Sequence, residues 1–383
     1  MRIIILGTAH PYRGGLASYN ERLARQLIMD GHETEIFTFS LQYPSFLFPG
    51  KSQFTDAPAP QGLKIRRMLN SMNPFSWIKT GRLIRKTAPD ILIIKYWHPA
   101  MAPAFGTVAR IASGGKKSCT RVICIFDNVI PHEKSLIDRL LTRYFTGSIN
   151  AAVVMSKSVG DDLKAFRINI PVKFNPHPLY DNYGDRLPEQ DALERMNLDP
   201  EFSYMLFFGF IRAYKGLDLL LEAFADKRIE AMKVRLIVAG EFYENDKPYR
   251  EIIDKNNLAG RIIMLDRFIA ESEVAPLFSC SELVVQPYRS ATQSGVTQIA
   301  YHFEKPMLVT DVGGLSEIVP DKKCGYVVKP DPAAIADAII DYFSNHRIEE
   351  FTENVKEEKK KYTWDKLTSS LAELYEACSE QKQ

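Results

Sequence analysis

The sequence predicts an α/β protein in which two doubly wound parallel-sheet domains follow one another. Three observations carry the prediction. Short apolar runs alternate with stretches of helical periodicity, the rhythm of βαβ units. That rhythm breaks once, across residues 175–200, where Pro, Asn, Asp and Gly accumulate, and then resumes. A chain of 383 residues also exceeds one ordinary core.

The elements follow in order. Ile3 to Leu6 form an apolar run too short for a secretory leader and suited to a buried strand. Residues 17–30 place Ala17, Leu23, Ala24, Leu27 and Ile28 at helical spacing, and Gly31 stands where a left-handed C-cap is least strained. A second strand is expected over 34–39. The rhythm returns as strand 90–95, helix 101–112, strand 122–126, helix 137–146 and strand 151–155. Beyond the break it runs through strand 205–208, helix 217–224, strands 234–239, 262–265 and 283–285, helix 295–303 and strand 307–310. Residues 364–378 carry Leu367, Leu371, Leu374 and Tyr375 on one stripe of an amphipathic helix. In such folds a ligand lies at the carboxyl ends of the strands.

Composition narrows the function classes. With 45% apolar and 25% charged residues, the chain is neither disordered nor fibrous. Five scattered cysteines with no CxxC pair argue against a disulfide framework or zinc knuckle and point to the cytoplasm. No run of eighteen apolar residues is present, so no spanning segment is expected. The net charge of +2 conceals an asymmetry. Residues 1–185 hold 24 Lys+Arg against 13 Asp+Glu, a surplus of +11, and the remainder holds 25 against 34, a deficit of −9. A basic first half implies an anionic partner.

Four constellations carry candidate chemistry. In Gly209-Phe210-Ile211-Arg212-Ala213-Tyr214-Lys215-Gly216 a strand ends at Gly209 and a helix begins near Gly216, so Arg212 and Lys215 are held at the strand's carboxyl edge. Two fixed cations there suit a diphosphate. In Tyr288-Arg289-Ser290-Ala291-Thr292-Gln293-Ser294-Gly295-Val296, either Thr292 or Ser294 is the N-cap of a helix whose free amides could meet a phosphate. Gly14-Gly15 after the first strand allows close backbone approach to an anion, although it is not GxGxxG. Asp127 follows strand 122–126, and with His132 five residues on it could bind or deprotonate a hydroxyl. The seven histidines are isolated and no metal-ligand pair stands out, so no metal or other cofactor is expected.

Taken together, these stretches resemble the retaining GT-B glycosyltransferases of family 4. The resemblance rests on Gly209–Gly216, on the block from Gln286-Pro287-Tyr288 to Lys305-Pro306, on its continuation Asp311-Val312-Gly313-Gly314-Leu315-Ser316-Glu317, and on the 11–15 loop. It implies a GT-B fold with an acceptor-side domain over 1–182, a nucleotide-sugar-binding domain over 183–361, and a helix over 362–378 that crosses back to the first. It implies transfer of a sugar from a nucleotide-diphosphate sugar to a hydroxyl of a glycan or lipid-linked acceptor, in cell-surface polysaccharide synthesis. By match, Arg212 and Lys215 would grip the donor diphosphate. Ser294, Gly295 and Val296 would offer it amides, with Gly209 and Thr292 nearby, and Gly14 and Gly15 would approach from the other side. Phe268 and Ile269 would lie where backbone meets the nucleobase. Nucleic acid is not an expected partner.

Two departures from the family pattern bear on the site. The family's pair of glutamates spaced by seven residues is absent. Anchored on Lys305-Pro306, its positions fall on Ala291 and Ile299, and one residue to either side on Thr292 and Ala300 or on Ser290 and Gln298. Gln298 is a candidate neutral substitute for the ribose contact. The family's histidine after the fourth strand is replaced by Asp127, with His132 nearby. Alternative readings are a nucleotide-sugar 2-epimerase, which needs no acceptor, and a non-catalytic sugar-nucleotide-binding subunit, which binds donor without turnover. The basic stretch 74–86, with Phe75, Trp77 and Ile78 among Lys79, Arg82, Arg85 and Lys86, is a candidate for lying on an anionic inner membrane face.

Overall fold

The computed structural model describes residues 1–44, 52–114, 119–129, 136–166, 168–291 and 293–380. The candidate residues His132 and Thr292 lie outside them. The chain divides into two compact units, Met1–Pro178 with Trp364–Gln383, and Leu179–Thr363.

The first unit is built on β1 (Arg2–Leu6), β2 (Glu33–Leu41), β3 (Lys64–Asn70), β4 (Ile91–Tyr96), β5 (Arg121–Phe126), β6 (Ala151–Val154) and β7 (Val172–Phe174). These pair in parallel in the order β3-β2-β1-β4-β5-β6-β7. Strand order reverses between β1 and β4. Both β4 and β5 are buried at every residue, as strands covered by helices on two faces must be. Helices Pro74–Thr87, Ala102–Ser113 and Leu136–Thr146 lie side by side. Their closeness has a sequence cause: a Cβ on Gly81 would sit 2.8 Å from Ile111, and one on Gly106 2.7 Å from Tyr144. Helices Gly15–Met29 and Trp364–Glu380 pack together, the latter also against β5, β6 and β7. Because β1→β2 and β3→β4 run in opposite directions across the sheet, right-handed crossovers put helix Gly15–Met29 and helix Pro74–Thr87 on opposite faces.

The second unit holds β8 (Ser203–Phe208), β9 (Val234–Ala239), β10 (Ile262–Leu265), β11 (Leu283–Gln286), β12 (Met307–Thr310) and β13 (Gly325–Val328). The order is β10-β9-β8-β11-β12-β13, again all parallel, with the reversal between β8 and β11. Its core gathers Met205, Phe207, Leu236, Val238, Val285 and Leu308 from the strands and Leu220, Leu221, Phe224, Ile335 and Ile339 from covering helices.

Three strands carried no clear sequence signal, for one reason: they lie at or near sheet edges, where burial is partial. β3 reads Lys-Ile-Arg-Arg-Met-Leu-Asn with only Leu69 buried. β7 has three residues, and β13 four. The expected linker also contains a helix, Glu189–Arg195. Gly31 adopts φ 83°, as its place after the first helix requires. No helix among the described residues is long and apolar enough to cross a membrane.

Candidate functional site

In the second unit, the carboxyl ends of β8 and β11 flank the reversal of strand order, where an open parallel sheet leaves a crevice. Two loops rise there and meet. After β8 the chain turns through Gly209 at φ 100°. A Cβ at Gly209 would stand 2.9 Å from Lys215 Nζ and 3.7 Å from Val296 Cγ2, so residues from both loops converge on this one backbone position. Gly216, at φ 65°, opens helix Leu217–Phe224. A Cβ on it would fall 2.0 Å from the Pro287 carbonyl oxygen, and the Arg289 amide donates to the Tyr214 carbonyl at 2.7 Å. The loops are therefore stitched backbone to backbone, an approach that excludes any side chain at 216.

Neither predicted cation is engaged by a carboxylate among the described residues. Lys215 is buried, with 9% of its surface exposed. Its Nζ lies 5.3 Å from the centre of the Tyr288 ring. Burial lowers its pKa, opposed by Tyr214 and reinforced by the charge of Arg212. Arg212 is exposed, with its guanidinium 5.1 Å from the Tyr243 ring centre. Burying an ammonium without a counter-ion is costly.

Of the two possible caps, Ser294 takes the role: its Oγ accepts from the Val296 amide at 3.2 Å. The Val296 amide is thus engaged by the cap. Ser294 Oγ also lies 3.3 Å from the Tyr288 hydroxyl, whose pKa burial pushes up to about 12. Gly295 is fixed by packing, since a Cβ there would lie 2.8 Å from Tyr180. Gln298 is fully buried, and neither atom of its amide has a hydrogen-bond partner among the described residues. Two strand positions from β8, the turn after β10 carries half-buried Phe268 and buried Ile269. Glu273 steadies that turn, accepting from both terminal nitrogens of Arg267 at 2.7 and 2.5 Å.

In the first unit, Gly14 (φ 98°) precedes helix Gly15–Met29, and its carbonyl accepts from the amides of Ala17 and Ser18 at 3.0 and 3.2 Å. Among the described residues, chain neighbours aside, no atom lies within 4 Å of a Cβ built on Gly14. The loop thus presents open backbone at the end of β1, beside that sheet's own reversal point. Asp127 follows β5, but its Oδ1 accepts from Lys95 Nζ at 2.7 Å. Lys95 is 1% exposed and sits 3.3 Å from the Tyr19 ring centre. Burial lowers its pKa, and Asp127 opposes that shift. The carboxylate of Asp127 is thus the counter-ion of a buried ammonium.

Sequence reasoning passed over two residues, Lys95 and Tyr288. The signal for Lys95 was a single cation inside the otherwise apolar run Ile-Leu-Ile-Ile-Lys-Tyr, which demands a partner. Tyr288 stood in the right motif, but only the folded chain shows that it joins Lys215 to Ser294. Among the described residues, no group of three or more His, Cys, Asp or Glu is placed to hold a metal ion.

Comparison with known proteins bears on both units. Residues 13–178 match the model for Glycosyltransferase Family 4, and residues 203–345 match that for Glycosyl transferases group 1. An uncharacterized glycosyltransferase of Methanocaldococcus jannaschii is 26% identical over 388 residues, covering 99% of each chain. The structure of sucrose-phosphate synthase from Thermosynechococcus elongatus is similar with a TM-score of 0.78 at 15% identity, over 100% of both chains. That of Anabaena HepE in complex with UDP-glucose is similar with a TM-score of 0.73 at 14% identity, over 98% of this chain and 99% of the other. With a family 4 domain in its first unit and a group 1 domain in its second, the chain belongs to the GT-B glycosyltransferases.

Proposed function

We propose that the protein transfers a sugar, with retention of anomeric configuration, from a nucleotide-diphosphate sugar to a hydroxyl of a glycan or lipid-linked acceptor in cell-surface polysaccharide synthesis. The observation that carries the donor reading is the buried ammonium of Lys215, which has no counter-ion among the described residues and lies at the strand-order reversal beside Arg212 and a capped helix start. A diphosphate supplies the missing negative charge. As the sugar–oxygen bond breaks, charge grows on the departing diphosphate, and fixed cations lower the barrier by meeting it there. In this reading Arg212 and Lys215 do that work without a metal, and Phe268 and Ile269 border the base. Gln298, whose side-chain amide has no partner among the described residues, borders the ribose. Retention and the acceptor class rest on the family resemblance. The solved complex of HepE with UDP-glucose, similar in fold, supports a nucleotide-sugar as donor.

The test is calorimetric titration with UDP, ADP and GDP in the presence of EDTA, followed by donor turnover on lipid-linked and soluble glycans. Saturable binding of one nucleotide, lost in Lys215→Met, is the expected result. Indifference to all three nucleotides with and without added magnesium overturns the proposal.

A further inference from the structure

The helix Leu136–Thr146 turns an apolar face to solvent. Leu136 is 81% exposed, Ile137 and Leu140 68%, and Tyr144 40%. Positions 136 and 140 lie one turn apart on one stripe with 137 beside them, while Tyr144, a turn further on, packs on Gly106 and beneath the Arg110 guanidinium. The opposite face is anchored in the first unit through buried Thr142, Phe145 and Thr146. Scattered single leucines on a surface need no explanation, but a contiguous stripe on one short helix does.

Charge identifies what the stripe fits. The helix bears exposed Arg139 and Arg143 against one carboxylate, Asp138. Its neighbours in the same layer are more one-sided. Helix Pro74–Thr87 carries Lys79, Arg82, Arg85 and Lys86 and helix Ala102–Ser113 carries Arg110, and neither contains an acidic residue. Phe75, at the start of the first of these, is 80% exposed, and Met72 just before it 64%. Helix Trp364–Glu380, packed against helix Gly15–Met29, is acidic, with Asp365, Glu373, Glu376 and Glu380.

We infer that this three-helix layer is a docking surface for an anionic lipid bilayer, with Leu136, Ile137 and Leu140 entering the headgroup–acyl boundary and the flanking arginines and lysines meeting lipid phosphates. Leucine and isoleucine on one side of a helix with arginines along its flanks are what an interfacial helix requires. A surplus of cations on adjoining helices supplies the long-range attraction to an acidic leaflet. A second copy of this chain, carrying the same cations, would be repelled at that face. The structure also shifts the site that the sequence indicated. In 74–86 the apolar residues are largely engaged: Ile84 is buried, Gly81 packs on Ile111, and Trp77 Nε1 donates to the Asn70 carbonyl at 2.7 Å. That helix contributes its cations, and helix Leu136–Thr146 contributes the apolar insertion. The inference is independent of the donor chemistry.

The experiment is co-sedimentation of the full chain with vesicles of phosphatidylcholine alone and with phosphatidylglycerol at about one third. The parent and two variants, Leu136→Ser with Leu140→Ser, and Arg139→Gln with Arg143→Gln, are compared at low and high salt. Parent binding to the acidic vesicles, weakened at least tenfold by the leucine pair and made less salt-sensitive by the arginine pair, is expected. Unchanged melting temperatures show that both variants fold. Absence of parent binding to acidic vesicles at low salt, or full binding by the leucine variant, overturns the inference. So does a parent that is a dimer in solution and becomes monomeric in the leucine variant.

Discussion

Lys215→Met sets stability and binding against each other, which makes it a sharp perturbation. The side chains are similar in length, so the change chiefly removes a charge. That charge is buried with no carboxylate beside it among the described residues, and burial lowers its pKa. Removing it orphans no partner, in contrast to breaking a buried ion pair. The variant should therefore be at least as stable as the parent in denaturant unfolding. Binding should move the other way. A unit charge about 4 Å from a phosphate oxygen contributes about 4 kcal/mol at an effective dielectric of 20. After part of this is offset by hydration, a loss of about 2–4 kcal/mol remains, in line with removal of one fixed donor from a charge-stabilising site. That corresponds to roughly 30- to 1000-fold in Kd for the nucleoside diphosphate, read by calorimetry. Lys215→Arg should retain charge at alkaline pH, where the parent, with its lowered lysine pKa, loses affinity. A Kd within threefold of the parent in the methionine variant would refute the reasoning. So would a stability loss beyond about 2 kcal/mol, because the ammonium would then be holding the fold rather than awaiting a ligand.

Other expectations concern the structure around this site and the first unit. Asp127→Ala leaves Lys95 charged and buried, so it should cost about 3–5 kcal/mol in urea unfolding, and the double variant with Lys95→Met should recover most of that. His177 has its pKa held down to about 3 by burial and by Lys95, against a hydrogen bond from its ring to the Pro178 carbonyl. The unfolded chain takes up this proton near pH 6.5 and the folded chain does not, so the stability is complete above 6.5 and lost as pH falls toward 3. Between pH 7 and 5 the site should account for about 2 kcal/mol, and His177→Gln should flatten that part of the profile. Gly295→Ala forces a methyl to within 2.8 Å of the Tyr180 ring and should cost about 1–3 kcal/mol by thermal unfolding, with a further loss of nucleotide affinity as the helix start shifts.

The sequence by itself determined the two sheets, because strands buried on both faces must be continuous apolar runs and such runs are visible without a partner. It also determined where the cations at 212 and 215 stand, because a strand, a glycine and a helix start fix a loop's place at the strand's carboxyl end. What only the tertiary structure decided was which groups are engaged. That Asp127 answers Lys95, that Ser294 takes up the Val296 amide, and that Tyr288 spans the loops after β8 and β11 all depend on atoms brought together from distant segments. The edge strands β3 and β7 were illegible for a related reason. A half-exposed strand carries little apolar pattern of its own and is held in register by its neighbour's backbone, a constraint that no single segment of sequence contains.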